Sequence, residues 1–371
     1  MWGNDRDIDG EPFIEKYKRG EIVWHKPSRR IYLDHGYFIY KGRKAGFSSA
    51  SGKTMNKAHM WYYTYGNKQQ KLPHHKGTFE VLNGAMEKIG QKYGPIAWRA
   101  EDDLAYYEMK KKFFELLDEG CETIVLSSPM PIYSHFEEFD SGFRNVFAYA
   151  AEWEAAHPGK KVKIIMAPPM GHFAPMRQAF VEMLRDRLDT LPKNSSVSVA
   201  VTVHGMPWKK FHWEAWLELA PAYRDKLAED VRELLKSYTF SKTNVVVCQD
   251  EFADPIWDPK EEFLGTHKAY LNAVREGYDA VIGLPIEFLV ENSDTLFHHA
   301  HKNYHGFEGY NIYEPIDYPD WSVPYTREFQ IGKTKVIYNG VPVGKYQKYV
   351  IDAVYQSFDA ILSQSPELQK K

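Results

Sequence analysis

The stretch AVREGYDAVIGLP, residues 273–285, carries the plan of the fold. Apolar residues at helical spacing lead into Glu-Gly, a polar pair follows, and a short apolar run then ends in a proline. The same plan recurs in LLDEGCETIVLSSP, residues 116–129. We expect Gly120 and Gly277 to follow their helices in the left-handed conformation, which glycine adopts at least cost. The repeat predicts two similar α/β lobes, each with a proline that ends a strand at its carboxyl end.

Helical and strand patterns alternate along the chain from about residue 85. The four pairs are AYYEMKKKFFELLDEG with ETIVLSSP, MRQAFVEMLRDRLDTL with SVSVAVTVHG, RDKLAEDVRELLKSY with NVVVCQDE, and THKAYLNAVREG with YDAVIGLP. This alternation predicts an α/β fold whose mostly parallel sheets are covered on both faces. We expect an N-terminal extension with the start of the first lobe over 1–84, a first Rossmann-like lobe over 85–190, and a second lobe with a C-terminal helix over 191–371.

Composition narrows the classes of function. The 371 residues are 43% apolar and carry a net charge of −3, with lysine and arginine scattered, so we expect no nucleic-acid partner. Cys121 and Cys248 are too few for an iron–sulfur cluster or an all-cysteine zinc site. They also form no disulfide framework, which is typical of a reducing compartment such as the cytoplasm.

The N-terminal residues and the hydropathy pattern predict no membrane insertion. MWGNDRDIDGEPF is charged and lacks the apolar core of a secretory signal, and no apolar run approaches the length of a membrane span. A peripheral contact with a membrane is left open, as is the choice between a monomer and a homodimer. GFSSASGKT, residues 46–54, has five residues between its glycines where a phosphate-binding loop has four, so we expect no nucleotide there.

The stretch PIEFLVENSDTLFHHAHKNYH, residues 285–305, concentrates carboxylates and imidazoles. If residues 286–305 form a helix, one stripe of its surface holds Glu287, Glu291, Asp294, His298, His301 and His305. These side chains are ligands for Fe(II), Co(II), Ni(II) and Zn(II). The alternative is a surface helix whose charges follow the helix dipole. The position after Pro285 favours the metal face, because ligands of α/β sheets bind at the carboxyl ends of strands.

A second stretch, VSVAVTVHGMPW (197–208), places His204 at the end of a valine-rich strand. Gly205 would let a flat ligand approach the backbone. Four aromatic residues follow, namely Trp208, Phe211, Trp213 and Trp216. We interpret His204 as a general base over an apolar pocket, the alternative being a histidine with a structural role.

These motifs resemble, in order, four blocks of the ferrochelatase family. SPMPIYS (128–134) is similar to L-P-x-Y-P-x-Y-S, and TVHGMP (202–207) is similar to S-A-H-[GS]-[LM]-P. CQDEFADPIWDP (248–259) is similar to Q-S-x-x-G-x-x-x-W-L-x-P, and PIEFLVENSDTLFHH (285–299) is similar to P-x-x-F-x-[SA]-D-H-x-E-T-L-Y-E. The resemblance covers about residues 85–365.

The resemblance implies a lyase of haem biosynthesis that inserts a divalent metal, Fe(II), into a porphyrin or related tetrapyrrole. It implies no cofactor beyond the substrate metal. The catalytic residues would be His204 and Asp294. The metal ligands would be His204, Asp294, Glu291, His298 and His301. The substrate-binding residues would be Tyr133, Ser134, Trp208, Trp257 and, on a looser match, Arg99.

The chain departs from the family pattern in the fourth block, PIEFLVENSDTLFHH. Asp294 replaces the family's glutamate, Asn292 replaces a histidine, and His298 replaces an acidic residue. The alternatives are therefore a chelatase for another metal or tetrapyrrole, such as cobalt or nickel, or a non-catalytic porphyrin- or haem-binding homologue. The sequence lacks the HExxH pattern, which argues against an unrelated metal-dependent hydrolase.

Overall fold

The structure is a computed structural model. It describes residues 7–8, 11–12, 19–25, 37–40, 43–44, 73–101, 106–206, 215–250, 264–291, 295 and 322–365.

The described residues contain eight α-helices and thirteen strands. The helices are α1 (Pro73–Tyr93), α2 (Tyr106–Asp118), α3 (Arg144–Ala156), α4 (Ala174–Leu188), α5 (Ala215–Leu219), α6 (Arg224–Lys236), α7 (Thr266–Arg275) and α8 (Gln347–Leu362). The strands are β1 (Asp7–Ile8), β2 (Glu11–Pro12), β3 (Ile22–His25), β4 (Tyr37–Tyr40), β5 (Arg43–Lys44), β6 (Thr123–Leu126), β7 (Lys163–Met166), β8 (Ser196–Val203), β9 (Lys242–Gln249), β10 (Leu264–Gly265), β11 (Ala280–Pro285), β12 (Arg327–Ile331) and β13 (Thr334–Tyr338). A π-helix spans His135–Phe143, and 3₁₀ turns span Met170–His172, Ala220–Ala222 and Gly344–Tyr346.

The large sheet has the strand order β10-β9-β8-β11-β13-β12. All neighbours are parallel except β12, which pairs antiparallel with β13. Ile282 of β11 lies opposite Val199 of β8 on one side and Ile337 of β13 on the other. Every residue of β8 after Ser196 is buried, as a strand covered on both faces requires. The predicted α/β class with parallel sheets is confirmed.

Helices cover both faces of the large sheet. Val199, Val201 and Ile282 share one buried core with apolar residues of five helices, α1, α4, α5, α6 and α8. On the other face α7 packs against β8, β9, β11 and β13. Side chains alternate along a strand, so Gly283 belongs to that second face, where the hydroxyl of Tyr270 lies on it.

A second parallel pair, β6 with β7, has its own small core. Ile124 packs there with Phe113, Leu117 and Trp153 from α2 and α3. The predicted boundaries at residues 84 and 190 stay predictions. The structure adds that α1 crosses the first boundary and packs against α8.

The loops at the carboxyl ends of the large sheet and of the β6–β7 pair contact each other. The Gly171 N–H, after β7, donates to the Pro131 carbonyl, after β6, at 3.0 Å. His172 Nε2 lies 3.0 Å from the carbonyl oxygen of Leu219, and the Ala215 N–H donates to His135 Nδ1 at 3.1 Å. Segments that follow β6, β7 and β8 therefore pack together at one edge.

The repeated helix–glycine–strand plan is confirmed at both positions. Gly120 ends α2 with φ +95° and Gly277 ends α7 with φ +71°. The residue after each glycine donates back into the helix, Cys121 to the Leu116 carbonyl at 3.0 Å and Tyr278 to that of Ala273 at 3.1 Å. Pro285 is the last residue of β11, as predicted, whereas β6 already ends at Leu126, before its proline.

The packing of Tyr270 on Gly283 gives a first prediction. A Cβ at residue 283 would lie 1.9 Å from the Tyr270 hydroxyl oxygen, so Gly283→Ala should lower the free energy of unfolding by about 2 kcal/mol. In a Tyr270→Phe background the loss should shrink by about 1 kcal/mol, because the clashing oxygen is gone. Urea denaturation measures both values. Gly90→Ala, in a helix with open space at the Cβ position, is the control. If the effects of Gly283→Ala and Tyr270→Phe on the free energy of unfolding were strictly additive, this would contradict the contact between the two residues.

A second prediction concerns Asp279, which precedes β11. Its Oδ2 accepts hydrogen bonds from the N–H and the hydroxyl of Ser196, each at 2.7 Å. These hydrogen bonds hold the pKa of Asp279 below its usual value. A carboxyl with a lowered folded pKa stabilises the fold above its unfolded pKa, and this contribution is lost as pH falls through the folded value.

Asp279→Asn should therefore lower the free energy of unfolding by about 1 kcal/mol at about pH 7. The deficit should narrow towards about pH 3, where the parent carboxyl also protonates. Urea denaturation across that range tests this, with Glu229→Gln, an exposed substitution, as control. A deficit that is constant with pH would show that the charge of Asp279 does not contribute.

Candidate functional site

Titratable side chains gather at the carboxyl edge of the large sheet. His204 follows β8, Asp250 follows β9, and Glu287 and Glu291 follow β11. All four are buried. The N–H of Asp250 donates to the Val203 carbonyl at 2.9 Å, which continues the parallel ladder past the strand end. Buried acids and an imidazole at this edge mark it as the candidate site.

His204 is held in one orientation by the residue after it. Gly205 has φ +87°, a conformation that other residues adopt only with strain. The Nδ1 of His204 lies 2.9 Å from the carbonyl oxygen of Gly205. A carbonyl only accepts, so Nδ1 carries a proton, and in the neutral form of the ring the lone pair lies on Nε2. That nitrogen is the one that can act as base or metal ligand.

Glu287 holds the backbone of the same histidine. One carboxylate oxygen accepts the N–H of His204, and the other accepts the indole N–H of Trp216. Burial raises the pKa of Glu287, although the Trp216 hydrogen bond and the electrostatic influence of His204 and Arg224 oppose that shift. The carboxylate therefore joins the end of β8 to the turn that follows β11.

Three residues that the motifs did not identify as anchors support Glu287. Trp216 is fully buried, and the Arg224 guanidinium carbon lies 5.2 Å from the centroid of its indole. The Tyr223 hydroxyl donates to the Ile286 carbonyl at 2.6 Å. The sequence marked Trp216 only as one of several pocket aromatics. Tyr223 and Arg224 carried no local signal, because their role depends on contacts with residues far along the chain.

Glu291 connects three loops. Its Oε1 accepts the N–H groups of Tyr325 at 3.0 Å and Val341 at 3.1 Å, and its Oε2 accepts the Thr295 hydroxyl at 2.7 Å. These bonds occupy most of the acceptor capacity of the carboxylate. The role of Glu291 as a metal ligand stays a prediction, and the structure shows it as an anchor of the loops beside β11 and β13.

The predicted helix over 286–305 is wrong at its start. Residues 286–291 form turns and bends, so Glu287 and Glu291 do not share a helical stripe. The physical reason is that both carboxylates bind backbone N–H groups of other segments, which holds the chain close to the sheet edge. Thr295 lies in a π-helical turn.

The predicted substrate residues of the first lobe lie in the loop after β6. Tyr133 is buried, which raises its pKa to about 12, and its hydroxyl lies 3.2 Å from Ser127 Oγ. The N–H and hydroxyl of Ser134 both donate to Glu138 Oε2, at 2.7 and 3.0 Å. Arg99, by contrast, pairs with Glu119, which lies between α2 and the start of β6. Tyr133 follows the other end of that strand.

The remaining predicted site residues lie outside the described part of the chain. They are Asp294, His298, His301, Trp208 and Trp257. Their roles and the proximity of Asp294 to His204 therefore stay predictions. Within the described ranges, no group of three or more histidine, cysteine, aspartate and glutamate side chains could hold a metal ion. Among the described helices, none has the length and apolar character that a bilayer crossing needs.

The likeness of this chain to a solved structure is weak. No family model and no curated protein matches the chain. The solved structure of SirB from Bacillus subtilis with Fe3+ is similar with a TM-score of 0.43 and 10% identity, over 80% of this chain and 93% of that one. A likeness of this strength assigns neither a family nor a function, so the ferrochelatase resemblance stays a prediction.

The contacts of Glu291 give a third prediction. Glu291→Ala should lower the free energy of unfolding by about 3 kcal/mol without any metal present, because two buried backbone N–H groups lose their acceptor. Glu291→Gln keeps one side-chain oxygen that can accept both N–H groups, so it should lower the free energy of unfolding by only about 1 kcal/mol. Urea denaturation compares the two. Equal losses would contradict the anchoring role.

Proposed function

We propose that the protein is a metal chelatase that inserts a divalent metal into a tetrapyrrole at the carboxyl edge of the large sheet. The observation that carries this proposal is the presentation of His204. Its backbone N–H binds Glu287 and its Nδ1 binds the Gly205 carbonyl, so at this buried strand end Nε2 is the ring nitrogen that can act as a base. The four sequence blocks that resemble ferrochelatases support the same assignment.

The chemistry of insertion requires a base beside a flat apolar slot. Two pyrrole N–H bonds break, the ring nitrogens bind the metal, and two protons leave. The Nε2 of His204 would accept a proton or contact the entering ion. Phe288, whose ring centroid lies 6.1 Å from that of His204, supplies apolar surface beside it.

The partners of His204 in this reaction come from the resemblance. Asp294 would take up the second proton and balance the charge of the ion, with Glu291, His298 and His301 along the metal path. Fe(II) is the metal that the resemblance implies. The histidines that replace acidic positions suit cobalt or nickel as well, because imidazole binds the later transition metals strongly.

Absorbance spectra distinguish the candidate activities. The protein is mixed anaerobically with protoporphyrin, alone and with Fe(II), Co(II), Ni(II) or Zn(II). Catalysed insertion replaces the free-base spectrum with that of the metalloporphyrin faster than in a protein-free control. A shifted free-base spectrum that no metal converts would support the non-catalytic binding protein instead. An unshifted spectrum would contradict both.

The fourth prediction is that His204→Ala lowers the rate of metal insertion at least about 100-fold. Tetrapyrrole affinity, measured by absorbance titration, should change little, because the base acts on bound substrate. His157→Ala is the control, since this exposed histidine stacks on Trp153 at the end of α3. Insertion at the parent rate would show that His204 has a structural role only.

A further inference from the structure

We propose that Glu287 is a positioning residue that holds His204 in the tautomer with a basic Nε2, and that Trp216 aligns Glu287 for this task. The proposal rests on the proposed function for its catalytic consequence. The orientation itself is a property of the protein without metal or tetrapyrrole, so the two can be tested apart.

His204 is held through its backbone N–H and through its ring N–H. The carboxylate of Glu287 binds its backbone N–H, and the carbonyl of Gly205 binds its ring N–H. The first bond positions the backbone from which the side chain extends. The second selects which ring nitrogen keeps its lone pair. A rotation of the backbone at residue 204 would change the position of the ring relative to the carbonyl of residue 205, and the bond to Nδ1 would be lost.

Glu287 is itself tied to the strand that it steadies. It lies two residues beyond Pro285, and the N–H of Ile286 donates to the Thr202 carbonyl of β8 at 2.9 Å. Glu287 is 3% exposed, and both of its carboxylate oxygens receive a hydrogen bond. The carboxylate consequently has little freedom to move relative to His204.

Trp216 fixes the other side of the carboxylate. Its indole N–H binds Oε1 of Glu287, and its ring is fully buried beneath the guanidinium of Arg224. Two N–H donors converge on one carboxylate, which only accepts. A carboxamide in its place would turn an N–H₂ group towards one of those donors, so glutamine cannot satisfy both.

This geometry separates a positioning role from that of a metal ligand. A ligand directs an oxygen lone pair at the ion. Here each oxygen of Glu287 faces a donor of the protein, one of them in the residue proposed as base. Loss of such an orienting partner typically lowers activity or metal affinity by about 10- to 100-fold without removing the ligand itself.

The experiment compares Glu287→Gln with Asp279→Asn. Asp279 makes a matched control because its carboxylate also binds a backbone N–H of β8, that of Ser196, but at the opposite end of the strand. Long-range ¹H–¹⁵N spectra of histidine-labelled protein report the tautomer of each neutral imidazole, and His204→Ala assigns the signal of His204. The rate of metal insertion and the tetrapyrrole Kd are measured on the same variants.

We expect the parent and Asp279→Asn to show His204 as the Nδ1–H tautomer, and Glu287→Gln to show a mixture with the Nε2–H form. Insertion should fall about 10- to 100-fold in Glu287→Gln, with an unchanged tetrapyrrole Kd. If Glu287→Gln does not fold, Trp216→Phe keeps the carboxylate, removes one donor and should shift the tautomer in the same direction.

A parent-like tautomer in these variants would overturn the proposal, including the case in which insertion is lost, since Glu287 would then act directly. If the parent itself inserts no metal, the proposed function fails, whereas the tautomer of Glu287→Gln still decides whether Glu287 positions His204.

Discussion

The pairing of β11 with β8 is the constraint on which the candidate site depends. Residues 280–285 run parallel to residues 197–202, and a carboxylate flanks the pair at each end. Asp279, before β11, binds the first residue of β8, and Glu287, after β11, binds the residue that follows β8. A slip of one residue would break both bonds and turn every side chain of β11 to the wrong face. The register and the position of His204 are therefore set together.

Carboxylates organise the rest of this edge in the same way. Glu291 binds the N–H groups of Tyr325 and Val341, which precede β12 and follow β13. Loops that leave parallel strands carry backbone donors that cannot pair within the sheet, and a buried donor without an acceptor is costly. Glutamates just after β11 supply those acceptors. Their burial is tolerated because each oxygen receives hydrogen bonds in place of water.

This arrangement changes the physical meaning of the acidic residues after Pro285. As a helical stripe they would all face an ion. In the folded chain Glu287 and Glu291 face backbone, indole and hydroxyl donors, and Nε2 of His204 is the nitrogen that we propose for chemistry. A chelatase needs a base that stays in place while a flat ring is distorted over it. The hydrogen bonds of Glu287 and Gly205 to His204 meet that requirement more directly than the predicted helical stripe would.

Local pattern in the sequence determined the elements and their order. Period and glycine position predicted the α/β class, the left-handed caps at Gly120 and Gly277, and His204 at a strand's carboxyl end, because each depends on neighbours within a few residues. The domain boundaries and the roles of Asp294, His298 and His301 stay predictions.

Only the tertiary structure decided what the acidic residues do. Glu287 binds a backbone group 83 positions away, and Glu291 reaches donors 34 and 50 positions away. Those contacts also decided that residues 286–291 are not helical. Helical periodicity reflects a segment whose backbone hydrogen bonds lie within that segment. It cannot predict that a side chain will bind backbone groups of a distant strand.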